Sequence, residues 1–277
     1  MLPNPSQQPA RRAGAGRPAP RSRVYFPLEW ENVRWRTIVK NLERQRAELV
    51  LRHQGWLAER PRAFQDLVLA RCELMKLKPT QIVYELGDEA GGLYGLVEGH
   101  VGVHLAVRGL DPSLGFVGRP GFWAGDAAAV RGAPRLVTIV ANTRCRIFRL
   151  RRAELLLIAQ RDPLVWAHVA LLMGHTVERC VNIIDALKRH DPVARVAAML
   201  LSLIADVPQL APVIRVSQAE LGSMTSLGRG SVNAALRELQ ERRLIRRRYR
   251  SIEVMNARAL GQFAGRAERK ALRTAAA

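Results

Sequence analysis

Arg229 and Asn233 stand four residues apart, and their chemistry is that of reading base edges. A guanidinium can donate together to guanine O6 and N7, and a carboxamide can pair with adenine N6 and N7. On a helix opening near Gly228 the two side chains share a face. Ser217, Gln218 and Ser231 are short polar groups of the kind that fix a protein on phosphates without reading sequence. Downstream, Arg246, Arg247, Arg248 and Arg250 form a basic cluster suited to phosphates or to the minor groove.

Such groups need a frame of two short helices, and Ser217 to Leu239, SQAELGSMTSLGRGSVNAALREL, supplies one. Ser217 and Glu220 have capping-box spacing, in which the hydroxyl accepts from the third N–H while the carboxylate reaches back. Leu221 and Met224 follow at helical spacing, Thr225 to Gly228 break the run, and Val232, Ala235, Leu236 and Leu239 resume an apolar stripe. Two helices over so short a turn predict a helix-turn-helix, whose second helix enters the major groove. LIRRRYRSIEVM then reads as two strands about a basic turn, a wing.

Composition points to the same partner. The 277 residues carry a net charge of +20, which favours polyanions such as DNA, although an Arg-rich coding bias also contributes. Cys72, Cys145 and Cys180 are too few and too scattered for a disulfide framework or a Cys-x-x-Cys metal site, which fits a reducing cytoplasm. No segment reaches the ~18 apolar residues of a membrane span. Residues 1–27, with five arginines among Pro, Ala and Gly, read as a basic disordered arm. No Ser-His-Asp set, P-loop, paired acidic cluster or zinc signature appears, so an enzyme is not expected.

Along the chain the texture changes in order. Asn32 to Arg71 is helical, with interruptions at Gly55 and at Pro61, which suits a first helical position. After Lys78, short apolar runs alternate with glycine turns, the pattern of an antiparallel barrel or roll. Pro163 to Arg189 predicts one long helix, with Trp166, Val169, Met173, Val177, Cys180, Ile184 and Leu187 spaced like a two-helix seam. Packing of that stripe on its own roll is the alternative. Asp191-Pro192 then caps a new helix and marks a joint. The expected class is α+β, divided into an arm (1–27), a roll with N-terminal helices (28–162), a dimerisation helix (163–190), a winged helix-turn-helix (191–260) and a basic tail (261–277).

This order of parts resembles the cyclic-AMP receptor protein / fumarate-nitrate regulator (Crp/Fnr) superfamily of bacterial transcription regulators. The likeness spans Leu67 to Asn256 and rests on three stretches: GDEAGGLYGLVEGHVGV, like the first roll strands; GFWAGDAAAVRGAPRLVTIVA, like the phosphate-binding cassette; and the helix-turn-helix. The resemblance implies a cyclic-nucleotide-binding-like roll, a homodimer on near-palindromic double-stranded DNA, and RNA polymerase as a further partner if the protein activates. Arg229 matches the base-reading arginine of the family. The glutamate that follows it there is Gly230 here, so an acceptor for cytosine N4 is missing and a different half-site is expected. Ser226 stands where the turn commonly has Gly.

Resemblance also implies an effector site at Gly125, Asp126 and Arg135, holding a cyclic nucleotide or a cyclic dinucleotide. The match is incomplete. Asp126 is a methylene shorter than the family's glutamate, Leu136 replaces a hydroxyl, and the cassette is one residue short. Cys180 and Val181 replace a Thr-Ser pair on the long helix. An empty roll closed by Asp126 and Arg135, and so a constitutive DNA binder, stays open. A cyclic-nucleotide-binding regulatory subunit acting on another protein stays open too, but it would not need Arg229. An iron–sulfur cluster is not expected without a cysteine run before Cys72. His100 and His104 on strands are weak grounds for haem.

Overall fold

The computed structural model describes residues 28–106, 112–205 and 212–275; the basic arm at 1–27 lies outside them. Residues 1–42 form one unit, described from Leu28 as the first turns of α1, and 43–277 form a second. Helix α1 runs Leu28–His53, followed by a 3-10 turn Trp56–Glu59 and α2, Arg62–Arg71. Pro61 is the N-cap of α2 rather than its first helical residue.

Eight strands follow: β1 (Glu73–Leu77), β2 (Ile82–Tyr84), β3 (Gly92–Glu98), β4 (Val101–Leu105), β5 (Ser113–Gly118), β6 (Trp123–Ala124), β7 (Thr138–Ala141) and β8 (Cys145–Arg151). A six-residue helix α3, Asp126–Arg131, interrupts them. They pair antiparallel in two sheets, ordered β1-β8-β3-β6 and β2-β7-β4-β5. Strand alternation sends Tyr94 and Leu96 of β3 and Ile147 of β8 to one face, where they meet Tyr84, Val101 and Ile139 of the other sheet. This is the expected roll. Phe148 and Leu150 point the other way, into a second core with Trp56, Phe64, Leu155 and Val169.

Helix α4 (Arg152–Arg161) leads into the long helix α5, Val165–Leu187. Its two halves have different surroundings. Val165, Val169 and Leu172 are buried within the chain, whereas Val177, Val181 and Ile184 are 61%, 57% and 55% exposed. The predicted seam therefore mixed two faces: Val169 packs on the roll side, and Val177 and Ile184 belong to an outward stripe.

Asp191 ends the joint as predicted, accepting the Ala194 N–H at 2.7 Å with Pro192 at the first position of α6, Pro192–Ser202. Then come β9 (Val213–Ile214), α7 (Gln218–Thr225), α8 (Arg229–Glu241), β10 (Ile245–Arg248) and β11 (Ser251–Val254). The residues read as a basic tail continue instead as α9, Ala257–Ala275. Leu260 and Ala264 bury one face of α9, and Glu268 accepts the N–H groups of His190 and Asp191 at 3.0 and 3.1 Å. Burial alone would raise the Glu268 carboxyl, but these donors and the His190 imidazole hold it below the usual carboxylate range. Among the described residues no helix is long and apolar enough to cross a membrane.

Candidate nucleic-acid interface and roll interior

The helix-turn-helix forms by local rules. Ser217 Oγ accepts from the Glu220 N–H at 3.2 Å, and Glu220 Oε2 accepts from the Ser217 N–H at 2.7 Å, completing the capping box. Ser226 closes α7 in the left-handed region at φ 53°, so the serine tolerates the conformation usually given to glycine. Arg229 is the first residue of α8. Val232, Ala235, Leu236 and Leu239 are buried in a core shared with α6, α7 and the wing, which turns Arg229, Gly230 and Ser231 outward.

A groove of about 360 Å³ runs between the N-termini of α7 and α8 and the wing. Ser217, Gln218, Arg229, Arg247, Arg248 and Arg250 all line it, so six predicted contacts converge on one surface. Among the described residues Arg229 makes no ion pair, leaving its fork free for a ligand. Ser231 is exposed beside the groove rather than lining it. Asn233 is half-buried, and its Oδ1 accepts from Arg247 Nη2 at 3.4 Å; this long bond must open before the amide pairs with a base.

The wing arginines are not equivalent. Alternation on β10 puts Arg246 and Arg248 on one face, where Glu253 Oε2 meets both at 3.3 and 3.1 Å. Arg247 faces α8. Tyr249, at the tip of the turn, is 91% exposed and also lines the groove. Sequence reasoning missed it, although a lone aromatic within four arginines was the available signal.

In the roll, Gly125 caps α3 at φ 93°, and a side chain there would strike the Gly92 carbonyl at 2.4 Å. Arg135 is 2% exposed. Its Nη1 donates to the Gly125 carbonyl at 3.2 Å and its Nη2 to the Gly92 carbonyl at 2.9 Å. The guanidinium lies 4.3 Å from the Tyr84 ring centre. Asp126 is also buried, but it accepts from Thr176 Oγ1 of α5 at 2.9 Å rather than pairing with Arg135.

These residues depart from a cyclic-mononucleotide site in several places. The carboxylate that would take a ribose hydroxyl already accepts from Thr176 at one of its two oxygens. Leu136, where a hydroxyl donor would sit, is 61% exposed, and Cys180 and Val181 are exposed on α5. Arg135 Nε is buried without a hydrogen-bond partner.

Comparison with known proteins matches both halves. Residues 74–162 match the cyclic nucleotide-binding domain family, and residues 194–263 match the Crp-like helix-turn-helix domain family. The cAMP-activated global transcriptional regulator CRP of Pasteurella multocida is 23% identical over 196 residues, covering 69% of this chain and 93% of that protein. The structure of FixK2 from Bradyrhizobium japonicum matches with a TM-score of 0.60 at 18% identity, over 69% of this chain and 96% of its own. The c-di-GMP-responsive regulator CLP of Xanthomonas campestris matches with a TM-score of 0.56 at 17% identity, over 71% and 100%. With both modules present in this order on a shared fold, the chain belongs to the Crp/Fnr family of transcription regulators.

Proposed function

We propose that the protein acts in the cytoplasm as a homodimer on near-palindromic double-stranded DNA, each protomer placing the N-terminus of α8 in the major groove. The observation that carries this reading is the convergence of Ser217, Gln218, Arg229, Arg247, Arg248 and Arg250 on one groove. A twofold pair of such readers would meet half-sites about 34 Å apart, one turn of duplex. Arg229 reads a guanine, Asn233 reads a neighbouring base once released by Arg247, and the wing holds the backbone. Gly230 adds no side chain beside Arg229, although a Cβ placed there would meet no atom within 4 Å, so cytosine is not selected from that position. If the protein activates, RNA polymerase is a further partner.

Selection from a randomised duplex pool tests this reading. An inverted repeat with a guanine in each half-site is expected, and Arg229→Ala should cost about 1–3 kcal/mol per half-site and relax preference at that base. Enrichment of no motif, or an Arg229→Ala variant with unchanged preference, would overturn it. An effector of the cyclic-nucleotide type belongs to the family's module, and Gly125, Asp126 and Arg135 are the residues of this roll that would meet it.

A further inference from the structure

The buried face of α9 carries a charge where packing alone would favour an apolar residue. Leu260, Ala264 and Glu268 follow one another at four-residue steps on one face, and all three are buried. Leu260 and Ala264 lie in the core shared with α6, α7 and α8. A carboxylate that continues such a stripe is costly unless donors surround it. The match to the Crp-like helix-turn-helix domain ends at residue 263, so Glu268 lies beyond the module it borders.

The donors come from the joint. Helix α5 ends at Leu187 and α6 begins at Pro192. Between them the His190 N–H donates to both carboxylate oxygens at 3.0 Å, and the Asp191 N–H donates to Oε2 at 3.1 Å. His190 Nδ1 lies 3.0 Å from Oε1. Two successive peptide groups held by one carboxylate cannot turn independently. Arg195 of α6 clasps the joint as well. Its Nε and Nη2 donate to the Arg189 carbonyl at 2.9 and 2.7 Å, and its Nη1 donates to the carbonyl of Thr225, the last residue of α7, at 3.3 Å.

Helix α9 is itself anchored to the DNA-binding module. Asn256 Oδ1 accepts the Ala259 N–H at 2.9 Å at its start. Phe263 packs against the shared core, and the guanidinium of Arg242, which caps the C-terminus of α8, lies 4.8 Å from its ring centre. The helix therefore links the far end of α8 to the joint. A swing of α6 against α5 would have to break the bonds to Glu268.

We infer that Glu268 is a positioning residue for DNA recognition: through α9 it fixes the angle between α5 and α6, and so sets which separation of half-sites the protein accepts. This role rests on the dimeric reading above, in which α5 stands at the twofold axis and α6 carries each recognition helix away from it. One base pair added between half-sites shifts the second by about 3.4 Å and turns it by about 35°. A held joint resists that change and a free joint follows it.

Two measurements on the full-length protein test the role. Glu268→Gln keeps the volume but replaces one acceptor oxygen by a donor, and Glu268→Ala removes both acceptors. Amide hydrogen exchange needs no DNA: both variants should lose protection at His190 and Asp191 by about tenfold or more, while Val232 to Leu239 exchange as in the wild type. Binding is then compared on the selected inverted repeat and on versions with one base pair added or removed between half-sites. The wild type should favour the selected spacing by about tenfold, and the variants should bind all three within about threefold, with affinity for a single half-site unchanged. Unchanged exchange at His190 and Asp191, a spacing preference that survives the loss of protection, or a loss of protection throughout α8 would overturn the proposal. So would a wild type that binds the repeat but ignores its spacing. A wild type that binds the repeat no more tightly than a single half-site would instead overturn the dimeric reading, and the spacing role with it.

Discussion

Asn142 of the roll donates to Glu220 of α7 at 3.0 Å, and the same carboxylate caps α7 by accepting the Ser217 N–H at 2.7 Å. One side chain therefore both shapes the helix-turn-helix and ties it to the roll. Strand β5 adds to the tie. The Leu114 N–H donates to Ser223 Oγ at 3.1 Å, Arg119 donates to the Leu203 carbonyl, and Leu114, Phe116 and Val117 share a core with α6, α7 and α8. A ligand-driven change in the roll would thus reach α7 through packed strands as well as through α5.

Two substitutions separate the roles of that carboxylate. Asn142→Ala removes only the tie, an expected loss of about 0.5–1.5 kcal/mol for one hydrogen bond. Glu220→Ala removes the tie and half of the capping box, and should cost roughly 1 kcal/mol more. Urea unfolding measures both. Equal losses would mean that the box contributes nothing to stability.

The same interface carries a pH dependence. Burial is the main cause that lowers His100, to about 4, and the charges of Arg215 and Arg119 add to it, while Glu220 acts in the opposite sense. Burial also lowers His104, again against Glu220. The folded protein therefore keeps His100 neutral, whereas the unfolded chain protonates it near 6.5. The unfolded state binds the extra proton, so stability is full above about 6.5 and falls as pH drops toward 4. His100→Asn should flatten the urea midpoint over this window, and an unchanged slope would exclude His100 as its source.

Sequence patterning carried far where the signals were local. Ser217, Asp191 and the stripe from Val232 to Leu239 sit within a few residues of what they cap or bury, so their roles were legible before any fold was known. Arg135 was legible as a residue but not in its surroundings, because its partner Gly92 lies 43 residues away. Arg149 gave no signal at all: in CRIFRLR it looks like any solvent-facing arginine, and only the ladder sets it opposite Tyr94 of β3, half-buried. The α5 seam failed differently. Both faces of that helix are apolar, and a period near 3.5 does not say which face meets the chain's own core.

On the wing, charge pairing predicts two variants of opposite sign. Glu253, with a side chain 14% exposed, meets both Arg246 and Arg248. Glu253→Gln frees both arginines for phosphates, so binding to unrelated DNA should tighten and its salt dependence steepen by about one unit of log–log slope. Arg247→Ala should weaken binding to all sequences and reduce that slope by about one. Binding measured across potassium chloride concentrations decides, and slopes that do not move would place the wing away from DNA.

The outward stripe of α5 gives the last prediction. Ala170, Gly174, Val177, Val181 and Ile184 follow steps of 4, 3, 4 and 3 residues, the spacing at which two helices interlock. The small residues at the start of the stripe let backbones approach; a side chain at Gly174 would meet nothing within 4 Å in one chain. Beyond them, Val177, Val181 and Ile184 are more than half exposed, and a second copy of α5 would bury all three. Val181→Glu places like charges against each other across the twofold seam while leaving the protomer core untouched. Light scattering should then show a monomer in place of a dimer, with affinity for a selected inverted repeat reduced at least a hundredfold and affinity for a single half-site unchanged. A Val181→Glu protein that remains dimeric would move the interface to another face.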